Sequence, residues 1–227
     1  MRNLDESIEN INKNYIEVMK LLSYLIDLNK EAIKESNVEK VIEESQRVEN
    51  MINSFEVIIK ESSIIAIARY QPAAKNLRFF IMMINGARLL ERMADLLKQN
   101  LKIILEIKEM DKNSIEYFDI LVLKNIKIIE NFYNKYIQAF IKEDEKIIYE
   151  NIETDYIVNL ESKKTEKKVL EFLKNEKILK KELLLFWDLN KKYERFSDHI
   201  VHLFSDLVYI LNGDNLRRKE LEMKKEI

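Results

Sequence analysis

Two glycines and one proline in 227 residues leave this chain almost without the residues that make tight turns. Average usage is roughly 7% glycine and 5% proline. Sandwiches, barrels, doubly wound sheets and phosphate-binding loops all need glycine for turns or for close backbone approach. An all-helical chain with few, short connections is what remains. Hydrophobic residues make up 47% of the sequence, which is enough for a real core and too many for a disordered chain.

A helical period confirms the direction. Ile8, Ile11, Tyr15, Met19, Leu22, Leu25 and Ile26 recur mostly at three- and four-residue steps, the spacing of one helix face. The pattern predicts a first helix from about Leu4 to Lys34. Ser36 with Glu39 three residues on reads as a capping box for a second helix ending near Arg69. Pro72 suits a helical first turn, so a third helix is expected from there to about Met110. Asp111-Lys112-Asn113-Ser114 is the best break, followed by a fourth helix from Ser114 to Lys142. Asp144 caps a fifth, and a sixth ends at Gly213, with the join between them near Lys174-Asn175-Glu176. Two sets of three long helices predict two tandem three-helix bundles, residues 1–112 and 113–227.

A repeat supports that division. Leu90-Glu91-Arg92-Met93-Ala94-Asp95 in the third helix matches Tyr193-Glu194-Arg195-Phe196-Ser197-Asp198 in the sixth, 103 residues later. A looser pair, Val48-Glu49 and Thr154-Asp155, sits in the second and fifth helices, with Glu49 and Asp155 106 residues apart. Nearly one offset in equivalent helices points to duplication of a three-helix unit.

Composition excludes several chemistries. Without cysteine there is no disulfide, thiolate zinc site or Cys nucleophile. Thirty-eight basic and forty acidic residues nearly cancel, to a net charge of −2, so no global nucleic-acid footprint exists. No run approaches the roughly 18 apolar residues of a membrane span, and the N-terminus lacks a signal-peptide pattern. The expectation is a cytoplasmic protein without membrane insertion or nucleic-acid partner.

Glu-x-x-x-Asp places two carboxylates one helical turn apart on one face, where like charges repel. One reading is a solvated acidic face. The other is a site for a hard cation, since oxygen ligands suit magnesium, calcium, manganese or iron. The recurrence in both halves favours the cation. The ligands would be Glu49, Glu91 and Asp95 in one half and Asp155, Glu194 and Asp198 in the other. His202, four residues after Asp198, either adds a nitrogen ligand or pairs with His199 at the surface. A ferritin-like di-iron centre needs Glu-x-x-His, and Ser197 stands where that histidine belongs. No hydrolase elbow or triad context is present. The lysine pairs from 163 to 192 read as solvated faces or as contacts for an acidic partner.

The stretch Arg69-Tyr70-Gln71-Pro72-Ala73-Ala74-Lys75-Asn76-Leu77-Arg78 resembles the Gln-Pro-x-Ala-x-Asp-Leu-Arg signature of PhoU proteins, regulators of phosphate uptake. The two Glu-Arg-x-x-Asp segments resemble that family's Leu-Glu-Arg-Ile-Gly-Asp motifs, the second with its following histidine. Arg69, Gln71, Pro72 and Arg78 are the motif positions. The resemblance covers nearly the whole chain. It departs at Asn76, where the family has Asp, at Ala94 and Ser197, where it has Gly, and at Ser45 and Asn151, where it has a fourth acid. The resemblance implies a six-helix repeat fold and a non-enzymatic negative regulator of phosphate uptake and of the phosphate-starvation response. It implies a sensor histidine kinase and a phosphate ABC transporter ATPase subunit as partners, divalent or iron cations at the carboxylate motifs, and a homodimer. A metal-storage or metal-dependent helical bundle, or an accessory protein of a phosphate permease, are the alternatives.

Overall fold

The structure is a computed structural model that describes residues 2–34, 36–110, 114–174 and 180–214. Among the described residues eight helices and no strand occur: α1 (Arg2–Glu31), α2 (Val38–Tyr70), α3 (Ala74–Met110), α4 (Ser114–Leu121), α5 (Leu123–Lys142), α6 (Glu145–Asn151), α7 (Thr154–Lys174) and α8 (Lys180–Leu211). The helices α1, α2 and α3 form one antiparallel bundle. The helices α4 to α8 form the second, with α4–α5 and α6–α7 each taking the place of one long helix. The bundles lie side by side, with α3 packed along α8 and α1 along α5, while α2 and α7 sit at the outer flanks. No helix among the described residues is long and apolar enough to cross a membrane.

The apolar stripes explain the packing. On α3, Phe80, Met83, Ala87, Leu90, Ala94, Leu97, Leu101 and Ile104 are buried, which is the three-four spacing of a core face. Buried polar bonds then tie the halves together. The Tyr15 and Tyr136 hydroxyls are 2.8 Å apart between α1 and α5. Tyr193 on α8 donates to Asn29 Oδ1 on α1 at 3.0 Å, and the Asn29 amide donates to the Leu97 carbonyl on α3 at 3.1 Å. Each of these groups is fully enclosed, so each bond satisfies a polar atom that water cannot reach.

Four local expectations are corrected. The cap of α2 is Asn37, not Ser36: its backbone is extended and its side chain accepts from the Lys40 amide at 2.9 Å. The third helix begins at Ala74, so Pro72 sits in the preceding turn. Gln71 there takes a left-handed conformation with its N–H on the Ile67 carbonyl, a position after which proline is common. The predicted fourth helix is interrupted at Val122, because the Asn190 amide of α8 captures the Leu121 carbonyl at 3.1 Å. The predicted fifth helix is interrupted at residues 152–153, just after Asn151 turns its amide back onto the Ile147 carbonyl at 2.8 Å; such back-bonding competes with the helix ladder. Asp144 does cap α6, accepting from the Lys146 amide, and Gly213 follows α8 with φ +86°. The breaks expected at residues 111–113 and 175–176, and the boundary at 112/113 with them, lie outside the described residues.

Candidate functional site

Glu91 lies on α3 within reach of Glu49 and Glu56 of α2, and Asp95 follows one turn later on the side toward α8. Glu49 is not free to take a cation. Lys98, one turn beyond Asp95, places Nζ 2.8 Å from Glu49 Oε2. The Gln46 amide donates to the same oxygen at 2.8 Å and the Asn53 amide to the other at 3.3 Å. Both side chains are largely enclosed, Lys98 at 19% and Glu49 at 10% exposure, so the pair is screened less than a surface one. Glu91 makes no such bond. Its pKa is raised, first by burial and then by Asp95 and Glu56.

The second half reaches the same result with different residues. Ser197 donates from Oγ to Asp155 Oδ1 at 2.6 Å, and the Asn159 amide holds the other carboxylate oxygen. Glu194 accepts from Ser162 Oγ and from Lys191 Nζ, each at 2.9 Å. Lys191 also reaches Glu166 at 2.6 Å. Bonds to Glu166 and Glu194 raise the Lys191 pKa and hold the ammonium charged. Asp198 has no such neighbour and is pushed up to about 6 by desolvation, then by Asp155 and Glu194.

Among the described residues no three carboxylate or imidazole groups converge to hold a metal ion. The expected sets, Glu49 with Glu91 and Asp95, and Asp155 with Glu194, Asp198 and His202, are therefore not assembled as ligand shells. Lys98 bonds to Glu49, Lys191 to Glu194 and the Ser197 hydroxyl to Asp155. Ser45 and Asn151 put neutral groups where the resemblance has acids: Ser45 Oγ donates to the Ile42 carbonyl at 2.8 Å and Asn151 Nδ2 to the Ile147 carbonyl at 2.8 Å. As arranged here, these carboxylates are held by lysine, serine and amide donors rather than gathered around a common point.

Instead, His202 faces a groove between α3 and α8. Arg92 and Asp95 from α3 meet Arg195, Asp198, His199 and His202 from α8 around a volume of about 400 Å³. An adjoining groove of about 360 Å³ shares Arg92, His199 and His202 and adds Arg88, Asn85, Ser205 and Asp206. Burial, His202 and Arg92 together lower the His199 pKa.

The distinctive proline stretch is structural. Arg78 donates from Nε to the Tyr209 carbonyl at 2.9 Å and lies 5.6 Å from the Tyr209 ring centre. Arg69 stacks over Tyr70 at 5.6 Å, Pro72 is buried, and Gln71 supplies the left-handed turn. Asn76 and Lys75 border a separate cavity of about 300 Å³ between α1, α3, α5 and α8, walled by Phe79, Phe140 and Leu207.

Comparison with known proteins gives a consistent result. The PhoU domain family model matches residues 15–104 and again 122–207. The chain is 25% identical over 224 residues to the phosphate-specific transport system accessory protein PhoU homolog of Aquifex aeolicus, spanning 98% of this chain and 99% of that one. It is 25% identical over 192 residues to PhoU homolog 1 of Thermotoga maritima, covering 82% and 78% of the two chains. The crystal structure of PhoU from Pseudomonas aeruginosa superposes with a TM-score of 0.83 at 18% identity, over 92% of this chain and 99% of that one. PhoU from Streptococcus pneumoniae gives 0.81, over 93% and 98%. With both halves matched by the family model, and the helical repeat and the Glu-Arg motifs in place on α3 and α8, the chain belongs to the PhoU family.

Proposed function

We propose that this protein is an accessory protein of a phosphate transport system and a negative regulator of phosphate uptake and of the phosphate-starvation response. It works at the cytoplasmic side of the membrane by contact rather than by turnover. The observation that carries this reading is the match of both halves to one family whose named relatives are phosphate-transport accessory proteins. The surface supports a contact role. Met51, Ile58 and Ile65 lie on one face of α2, exposed at 44%, 44% and 61%, with half-buried Phe55 among them. A contiguous exposed apolar stripe of this kind marks an interaction surface. The partners are a membrane-bound sensor histidine kinase and the ATPase subunit of a phosphate ABC transporter, and the working unit is a homodimer.

The test is affinity capture of the tagged protein from phosphate-replete cells, alongside phosphate uptake in a deletion strain. Co-purification of the transporter ATPase or the kinase, lost on replacing Ile58 and Ile65 with Asp, is the expected result. Recovery of a phosphate permease in their place would move the assignment to the permease accessory role. Unchanged uptake and no transport-linked partner would remove it.

A further inference from the structure

We propose that the groove between α3 and α8 binds a small tetrahedral oxyanion, and that inorganic monohydrogen phosphate is the species it fits.

The first observation is where this chain puts arginine. It has 29 lysines and nine arginines, and lysine makes eleven of the twelve ion pairs among the described residues. Three of the nine arginines line this face of α3 and α8: Arg92 and Arg195 stand in the groove itself, and Arg88 stands in the adjoining one beside Asp206; among the described residues none of the three makes an ion pair. A chain that neutralises its acids with lysine has placed guanidinium groups with no ion pair along this face, with Arg92 acting only through space on Glu91 and Arg195 on Asp198. Guanidinium offers paired donors that match two oxygens of an oxyanion, which an ammonium does not.

The second observation is that this arrangement opposes folding without a ligand. Arg88 and Arg92 are four residues apart on α3, where like charges repel by a few tenths of a kcal/mol. Arg92 also acts on His199, whose Nδ1 is buried without a hydrogen-bond partner. Arg92 and Arg195 come from equivalent positions of the repeat, so the packing of α3 on α8 joins the same motif from both halves at one place. The exposed amides of Asn85 and Gln99 add neutral donors at the two ends.

The third observation selects among anions. Asp95 and Asp198 line the same groove, and neither makes a hydrogen bond or ion pair. Carboxylates repel a fully ionised oxyanion, but monohydrogen phosphate carries a P–OH that can donate to one of them. Sulfate has no such proton, and neither does a dianionic phosphate monoester. The arginines therefore bind the charge, and the aspartates discriminate in favour of free phosphate. The inference does not rest on the accessory role proposed above, because a regulator that docks on a transporter need not bind phosphate itself.

The experiment is isothermal titration of the full-length protein with sodium phosphate at pH 7.5 and low salt, with sodium sulfate and glycerol 3-phosphate as comparison arms. Saturable phosphate binding is expected with a Kd of about 1 mM or tighter. Sulfate and the monoester should bind at least about tenfold more weakly. Arg92→Gln and Arg195→Gln should each weaken phosphate by about tenfold or more, while Arg47→Gln, on the outer flank, leaves it unchanged. Asp198→Asn should narrow the gap between phosphate and sulfate. Circular dichroism confirms the fold of each variant, and Arg88→Gln at an exposed position stands in if a variant fails to fold. No saturable heat up to about 10 mM phosphate, equal affinity for the three anions, or indifference to all three arginine variants would overturn the proposal.

Discussion

Arg78 Nε lies 2.9 Å from the Tyr209 carbonyl oxygen, joining the first turns of α3 to the last turn of α8 across 131 residues of sequence. That carbonyl also accepts from the Gly213 N–H at 3.1 Å, so Arg78 adds a second bond to it and opposes the negative end of the helix dipole. Gly213 turns the chain away just beyond, and a Cβ there would sit 3.4 Å from the Arg78 guanidinium carbon. The bundles are thus fastened to each other at this end by a family-motif residue. Arg78→Ala should lower stability by about 1–3 kcal/mol in urea unfolding, and Arg78→Lys should recover only part of it, because an ammonium cannot both donate along Nε and stack on the ring.

Gly86 answers to one side chain, Tyr15, above all to its hydroxyl. A Cβ added there would lie 2.5 Å from the Tyr15 hydroxyl oxygen, and that hydroxyl is held by Tyr136. Gly86→Ala should therefore cost about 1–3 kcal/mol despite alanine's better helix propensity. In a Tyr15→Phe background the same substitution should cost clearly less, a coupling that a double-mutant cycle by thermal or chemical unfolding would read directly.

Asp198 should make stability depend on pH. Its pKa rises from 3.8 to about 6 on folding, so between those values the folded form holds more protons than the unfolded chain. The contribution is present at acid pH, falls as pH climbs through that window, and stays lost above it. Asp198→Asn should therefore flatten the stability profile between pH 4 and 6. After discounting for solvent screening of this half-exposed group, it should stabilise the protein at pH 7 by about 1 kcal/mol.

Lys98 and Lys191 should stand between their carboxylates and any divalent ion. Removing the ammonium leaves Glu49 enclosed and uncompensated, so Lys98→Ala should unfold at lower temperature, by a loss of about 1–3 kcal/mol. Manganese should then restore stability in Lys98→Ala, and to a smaller degree in Lys191→Ala, while scarcely shifting the wild type. Equal manganese shifts in all three proteins would show that a cation shares these sites with the lysines.

The helical character, the two bundles, the cap at Asp144 and the stop at Gly213 were all legible in the sequence, because each is local. The apolar period states which face must be buried, and short-range capping states where a helix ends. The carboxylate pairs were legible for the same reason: residues four apart must share a helix face. Three things were not. The breaks at Val122 and Ile152 carry no glycine or proline; the first arises because Asn190, 69 residues from Leu121, takes that residue's carbonyl. The fate of Glu49 depended on which of 29 lysines reached it, and no spacing rule singles out Lys98 on another helix; Lys191, three residues before Glu194, is a helix neighbour, but its second bond to Glu166 on α7 needed the packing. The adjoining grooves that Arg88, Arg92 and Arg195 line exist only because α3 packs on α8. Local periodicity determines what each helix is, whereas the contacts between helices decide which charges are neutralised and which remain to meet a ligand.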